Sequence, residues 1–164
     1  MNQILSSQNQ TGQQRLHIQE NVPLADKNWF KTGGPARFYC KPKTEFEFAQ
    51  ALQFAQEKNI EIFILGQGAN ILISDDGFDG LVIHSDLQNI SHVNLDAHHA
   101  LVAAGSGTVF NNLIEYCLQN NLTNLEEFSG IPGTVGGSVF INLHYYDFFL
   151  ADFLVEAKIG RAHV

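Results

Sequence analysis

Two glycine-rich stretches carry the strongest chemical signal in the sequence. They are Leu65-Gly66-Gln67-Gly68-Ala69-Asn70-Ile71 and Ser129-Gly130-Ile131-Pro132-Gly133-Thr134-Val135-Gly136-Gly137-Ser138. In the second, four glycines fall within eight residues, and Thr134 and Ser138 add hydroxyl groups. Glycine reaches positive φ at no steric cost and lets a ligand come close to the backbone. Successive N–H groups in such a bend can hold an anion without a cationic side chain. A pyrophosphate suits these stretches; so does a plain structural turn, and composition alone leaves both open.

Nine Lys and Arg against seventeen Asp and Glu give a net charge of −8 over 164 residues. That argues against a nucleic-acid binder, which needs a basic face. Seven basic residues lie at or before Lys58, and none lies from Asn59 to Ala157, where twelve acidic residues occur. A phosphate bound in that stretch must be met by amides and helix N-termini; a solvated acidic surface is the alternative. Neither glycine stretch contains the lysine of a P-loop. Gly66 to Ile71 and Gly105-Ser106-Gly107 each begin like a dinucleotide fingerprint but lack its third glycine, which weighs against a Rossmann site.

Other reactive groups are sparse. Seven histidines show no ligand spacing, so no metal is expected, and His98-His99 read as solvated turn residues. Cys40 and Cys117 are too few for a disulfide framework or a four-cysteine zinc site. No G-x-S-x-G nucleophile elbow occurs. Ser129 and Ser138 therefore read as loop donors rather than nucleophiles. Tyr145, Tyr146, Phe148 and Phe149 form an aromatic cluster suited to a core, an interface or the wall of a flat cofactor. Hydrophobic residues make up 45% and charged residues 16%, enough for a real core. No apolar run approaches the roughly 20 residues of a membrane span. The start has no signal-peptide pattern, and a reduced, cytoplasmic compartment is expected.

The elements that must position these loops can be read from periodicity. Residues 1–15 form a Gln-, Asn- and Ser-rich arm. A turn at Gly33-Gly34-Pro35 leads into a strand over Ala36 to Cys40. Thr44 with Glu47 makes a capping box for a helix whose apolar face is Phe48, Ala51, Leu52 and Ala55, stopping at Asn59. Ile60 to Leu65 reads as a buried strand, and Ile71-Leu72-Ile73 and Leu81-Val82-Ile83 as further strands. Ile90 to Leu95 and Ala100 to Ala104 predict a hairpin turning at Asp96 to His99. Thr108 predicts the cap of a second helix with the face Phe110, Leu113, Ile114, Cys117 and Leu118. Thr123 with Glu126 predicts a short third helix. Two successive β-α-β-rich segments imply one α+β domain of two lobes.

Taken in order, Thr32-Gly33-Gly34-Pro35-Ala36, Leu65 to Leu72, Gly80-Leu81-Val82-Ile83, Ala104-Gly105-Ser106-Gly107 and Gly130 to Ser138 are specific. From about Asn21 to Ala157 the chain closely resembles the FAD-binding domain of the UDP-N-acetylenolpyruvoylglucosamine reductase family of bacterial cell-wall enzymes. The resemblance implies a two-lobed FAD-binding fold of the vanillyl-alcohol-oxidase (PCMH) type. It implies an arm at 1–20, lobes at 21–90 and 91–157, and an atypical end at 158–164. It implies that Leu65, Gly66, Gln67, Gly68, Ala69, Asn70 and Ile71 lie along the FAD pyrophosphate and ribityl chain. Gly105, Ser129, Gly130, Ile131, Pro132, Gly133, Thr134, Val135, Gly136, Gly137 and Ser138 belong to the same implied site. Asn142 matches a family asparagine near the flavin, and Tyr146 the tyrosine after it. In the family reaction NADPH reduces FAD, and hydride then passes to UDP-N-acetylglucosamine enolpyruvate, giving UDP-N-acetylmuramate for peptidoglycan. An acid, usually serine, protonates the neighbouring carbon, while an arginine and a glutamate stabilise the intermediate.

The chain departs from this family in three places. It reads Asn142-Leu143-His144-Tyr145-Tyr146-Asp147 where the family commonly reads Asn-Ala-Gly-Ala-Tyr-Gly. The family's Tyr-Arg motif, catalytic serine and C-terminal glutamate have no counterpart up to Val164, so no catalytic residue is assigned. Ile159 to Val164 does not continue the strand pattern. The expectation is a truncated chain that binds FAD, lacks the substrate-binding domain and so meets the UDP-sugar only with it. Exposed Phe148 and Phe149 would make it prone to self-association. Another oxidoreductase module of the same fold, or a non-catalytic interaction module, are the alternatives.

Overall fold

The computed structural model describes residues 16–158; the arm over 1–15 and the end from Ile159 to Val164 lie outside them. Strands β1 (Ile18–Pro23), β2 (Pro35–Cys40), β3 (Ile62–Leu65) and β4 (Phe78–His84) form a sheet in the order β1-β2-β4-β3. β1 is antiparallel to β2, whereas β2, β4 and β3 run parallel. Ile18 pairs with Cys40 at the start of β1. Helix α1 (Glu45–Lys58) covers one face. Its ends are set locally: Thr44 Oγ1 accepts from Glu47 N at 3.1 Å, and Asn59 closes the helix at φ 49°. The Glu47 carboxylate accepts from Lys43 N at 2.6 Å, one residue before the cap.

Ala51 and Ala55 bring α1 close against Phe38, Cys40, Leu81 and Ile83. Leu24, Ala36, Tyr39, Leu65 and Val82 are buried on the opposite face. Central β4 is thus covered on both sides, and its Leu81-Val82-Ile83 run is continuously apolar. β3, expected to be buried, is an edge strand: Ile62 and Ile64 are exposed because no further strand lies beyond them. Parallel β3 and β4 are joined without a helix. The strand expected at Ile71 to Ile73 is irregular chain, and Ile71 and Ile73 are part-buried because the loop folds back onto the sheet.

The second half is a hairpin with helices behind it. β5 (Ile90–Asn94) and β6 (Ala100–Ala104) pair antiparallel, turning at Asp96 to His99 as expected. In that turn the Asp96 carboxylate accepts from the His98 and His99 amides at 2.7 and 2.8 Å. Those bonds, with the His99 ring, hold its pKa low. Helix α2 (Phe110–Gln119) buries Phe110, Leu113, Ile114 and Cys117, but Leu118 is exposed. Thr108 does not cap it: Val109 occupies the cap, and Thr108 Oγ1 is buried without a partner. The turn after Thr123 is a 3₁₀ turn over Glu126–Phe128 rather than a Thr123-capped helix, and it delivers Phe128 into the core. Helix α3 (Val135–Phe140) follows, then the short pair β7 (His144–Tyr145) and β8 (Phe148–Phe149). This half therefore contains an antiparallel hairpin and helices, not a second β-α-β unit. Tyr145, Tyr146, Phe148 and Phe149 are exposed, which removes the core reading of that cluster. Both cysteines are buried; burial pushes the Cys40 thiol to about 12 and raises that of Cys117.

Replacing Thr44 by Ala removes the α1 cap and should cost about 1 kcal/mol in urea unfolding. Tyr39 Oη and His84 Nδ1 form a half-buried hydrogen bond of 2.7 Å. Burial, with Lys41 nearby, lowers the His84 pKa below its ordinary 6.5. Below pH 6.5 the unfolded chain therefore binds a proton that the folded chain resists, and stability falls as pH falls towards the folded-state value. Thermal midpoints from pH 7 to 5 should drop more steeply for the parent than for His84→Gln.

Candidate functional site

Because β2, β4 and β3 are parallel, their C-terminal ends share one edge of the sheet. The first glycine loop leaves β3 at Leu65 and stands on that edge. Ligands of open parallel sheets bind outside such carboxyl ends. The loop rests on residues 24–34, which the sequence did not single out as part of the site. Trp29 N donates to Gly68 O at 3.0 Å. Gly68 sits at φ 69°, and a Cβ there would lie 2.6 Å from Asn28 Cα and against Lys27 O. Asn28 Nδ2 donates to Leu24 O and Thr32 O at 2.8 and 2.7 Å, fixing the bed under the loop. Its Oδ1 is buried without a partner. The Thr32-Gly33-Gly34-Pro35 turn was the signal in the sequence for this segment.

The two glycine loops meet. A Cβ on Gly66 would lie 2.6 Å from Thr134 Oγ1, so only a hydrogen fits there. Gly133 N donates to Gln67 Oε1 at 2.9 Å. The second loop is in turn tied to the segment between β6 and α2. Phe110 N donates to Gly133 O at 2.9 Å, Val135 N to Thr108 O at 2.8 Å and Gly136 N to Ser106 O at 2.9 Å. A Cβ on Gly136 would lie 2.8 Å from Ser106 Cβ. Ser106 Oγ is bonded to Ser85 Oγ, after β4, at 2.8 Å. Gly105 packs against the backbone of Leu87 and donates to Asn89 O at 2.8 Å.

The distribution of uncommitted donors differs from the expectation that both loops present amides alike. Ile131, Gly133, Val135, Gly136, Gly137 and Ser138 N–H groups all donate to protein acceptors. Among the described residues, the N–H groups of Gln67, Gly68, Ala69 and Asn70 donate to none. The first loop thus supplies the run of donors, and the second a frame around it. Leu65, Ile71, Ile131 and Val135 turn their side chains into the hydrophobic clusters, leaving only their backbone for a ligand. Thr134 and Ser138 are buried; Thr134 Oγ1 caps α3 through Gly137 N at 3.3 Å. Gly130, at φ 82°, has open space on its Cβ side, and Ser129 and Pro132 are exposed beside it. Asn142 Oδ1 accepts from Ala151 N at 3.2 Å, and Tyr146 is exposed at φ 49°. Lys27, part-buried, places its Nζ 5.9 Å from the centroid of the Tyr39 ring, near the same sheet edge.

A parallel sheet edge and a hairpin-helix unit, clasped through two glycine loops, define the two-lobed PCMH-type FAD-binding fold. The chain belongs to the FAD binding domain family, whose sequence model matches residues 36–160. A UDP-N-acetylenolpyruvoylglucosamine reductase of Orientia tsutsugamushi (strain Ikeda) is 36% identical over 151 residues, covering 88% of this chain and 49% of that protein. The crystal structure of UDP-N-acetylenolpyruvylglucosamine reductase (MurB) from Thermus caldophilus matches with a TM-score of 0.66 and 28% identity, over 84% of this chain and 46% of that one. A cholesterol oxidase mutant from Brevibacterium sterolicum, 17% identical with a TM-score of 0.60 over 82% of this chain and 26% of that one, shares the fold. The chain spans about half the length of the curated relatives it matches. No helix among the described residues is long and apolar enough to cross a membrane.

FAD fits the residues present. Four uncommitted backbone amides in succession suit a diphosphate, and the absence of a Cβ at Gly66 and Gly68 keeps them close to the second loop and to the bed beneath. Gly68→Ala would force a Cβ onto Lys27 and Asn28 in a left-handed conformation. It should destabilise the chain by about 1–3 kcal/mol in chemical unfolding.

Proposed function

We propose that this chain binds FAD across its two glycine loops and serves as the FAD-binding part of a UDP-N-acetylenolpyruvoylglucosamine reductase. The observation that carries this reading is the run of amide donors from Gln67 to Asn70, held against the second loop by Gln67 and Gly66. In it, lobes 21–90 and 91–157 flank the cofactor. Gln67, Gly68, Ala69 and Asn70 offer backbone N–H groups to the diphosphate. Gly130, Pro132 and Gly133 provide an opposing wall without bulky side chains. Lys27 adds the nearby cation that the sequence from Asn59 to Ala157 lacks. A bound flavin would supply hydride acceptance and donation; the residues of this chain bind and orient it.

The relatives' names suggest the substrate of this reading, a UDP-sugar carrying an enolpyruvyl group; NADPH as reductant, a cytoplasmic location and a place on the route to peptidoglycan are what the family resemblance adds to it. No residue of this chain is assigned as the proton donor to that substrate. Reduction of UDP-N-acetylglucosamine enolpyruvate, against a panel of sterol and alcohol substrates, separates this reading from another oxidoreductase of the same fold.

Titration of the purified chain with FAD, followed by quenching of flavin fluorescence, should saturate at one FAD per chain. Because most of the donors are uncharged, Kd should rise by less than about tenfold between 50 and 500 mM salt, and Lys27→Gln should flatten that slope further. A chain that quenches no fluorescence at 100 μM would remove FAD from the reading.

A further inference from the structure

Among the described residues, Gln67 is the one side chain of the first loop that hydrogen-bonds to the second. Its carboxamide oxygen takes the Gly133 N–H at 2.9 Å across 66 residues of sequence. Gly133 is held on its other side by the Phe110 N–H at its carbonyl, 2.9 Å away. The bond therefore links the donor loop, through Gly133, to the N-terminus of α2. Beside it, Gly66 and Thr134 approach at a distance that admits no side chain, but that contact supplies no hydrogen bond between the loops.

We infer that Gln67 is a positioning residue: its acceptor oxygen sets the separation of the two glycine loops and thereby holds the amides of Gln67 to Asn70 in register with the opposing wall. A bond of this kind is directional, so it fixes distance and angle where apolar contact would fix neither. It also relieves Gly133 N–H of the need for another acceptor. The residue acts through the backbone of both loops. An acceptor is what the position requires; length alone is not enough.

Amide exchange and FAD affinity test this separately, and only the affinity arm rests on the FAD reading. In the full chain without FAD, Gln67→Met, of similar length but without the acceptor, should speed exchange of the Gly133 amide at least tenfold while α1 amides stay unchanged. Gln67→Glu, whose carboxylate also accepts, should keep Gly133 protected. For FAD at 0.5 M salt, where the screening length is about 4 Å, Gln67→Met should bind at least fivefold more weakly than the parent and Gln67→Glu within threefold of it. Unchanged Gly133 exchange in Gln67→Met overturns the inference, and so does an equal loss of affinity in both variants. If the parent binds no FAD, the reading of the ligand fails, and the exchange measurements still decide whether Gln67 sets the loops.

Discussion

Approach of one chain segment to another at backbone distance is the constraint around which the rest of the molecule is arranged. Three such approaches converge: Gly68 on Asn28, Gly66 on Thr134, and Gly136 on Ser106. Each leaves room for a hydrogen and not for a methyl group. Packed interiors tolerate added volume poorly, so the Gly66–Thr134 contact sets how closely the sheet and the hairpin-helix unit approach, while the other two seat each glycine loop within its own half. The hydrophobic clusters stabilise each half, but none of their buried residues is shared between the halves. The junction is polar and glycine-lined, and hydrogen bonds give it direction.

This arrangement divides labour between the loops. The second loop spends its amides on the protein: on Thr108, Ser106, Thr134 and Gln67. It is thereby fixed, and its exposed glycines face outward. The first loop is fixed differently, from beneath, by Trp29 and by the Asn28 side chain acting on its bed. Its own amides are left uncommitted. An anion-binding surface needs donors that are both available and immobile, and support from below is what allows both at once. The acidic balance from Asn59 to Ala157 is compatible with this because backbone N–H dipoles carry positive potential without a cationic side chain in that stretch.

What could be read from the sequence was whatever is encoded locally. Helix α1 was legible from Thr44, its apolar spacing and Asn59, all within one short window. The hairpin was legible from two runs and the turn at Asp96. Strand order was not legible, so the edge position of β3 and the exposure of Ile62 and Ile64 were missed. Ile71 to Ile73 gave a strand-like pattern because burial against a sheet mimics pairing within one. Thr108 suited a cap by type, yet the chain needed its carbonyl for Val135 N and placed Val109 at the cap. For the candidate site, the glycines pointed to two loops that the fold brings into contact. Which amides stay free was invisible, because the acceptors that engage them come from distant segments. Lys27 and Asn28 were overlooked for the same reason: their closeness to Gly68 is a tertiary fact.

The length of sequence between Gln67 and Gly133 has a kinetic corollary. Contacts that close large loops form late, after local helices and hairpins, because the entropy of closure is spent before they return anything. Closure of the two loops on each other is therefore expected to follow formation of helix α1 and of the β5–β6 hairpin, whose contacts are local. Until they close, the four donors of the first loop have nothing set opposite them.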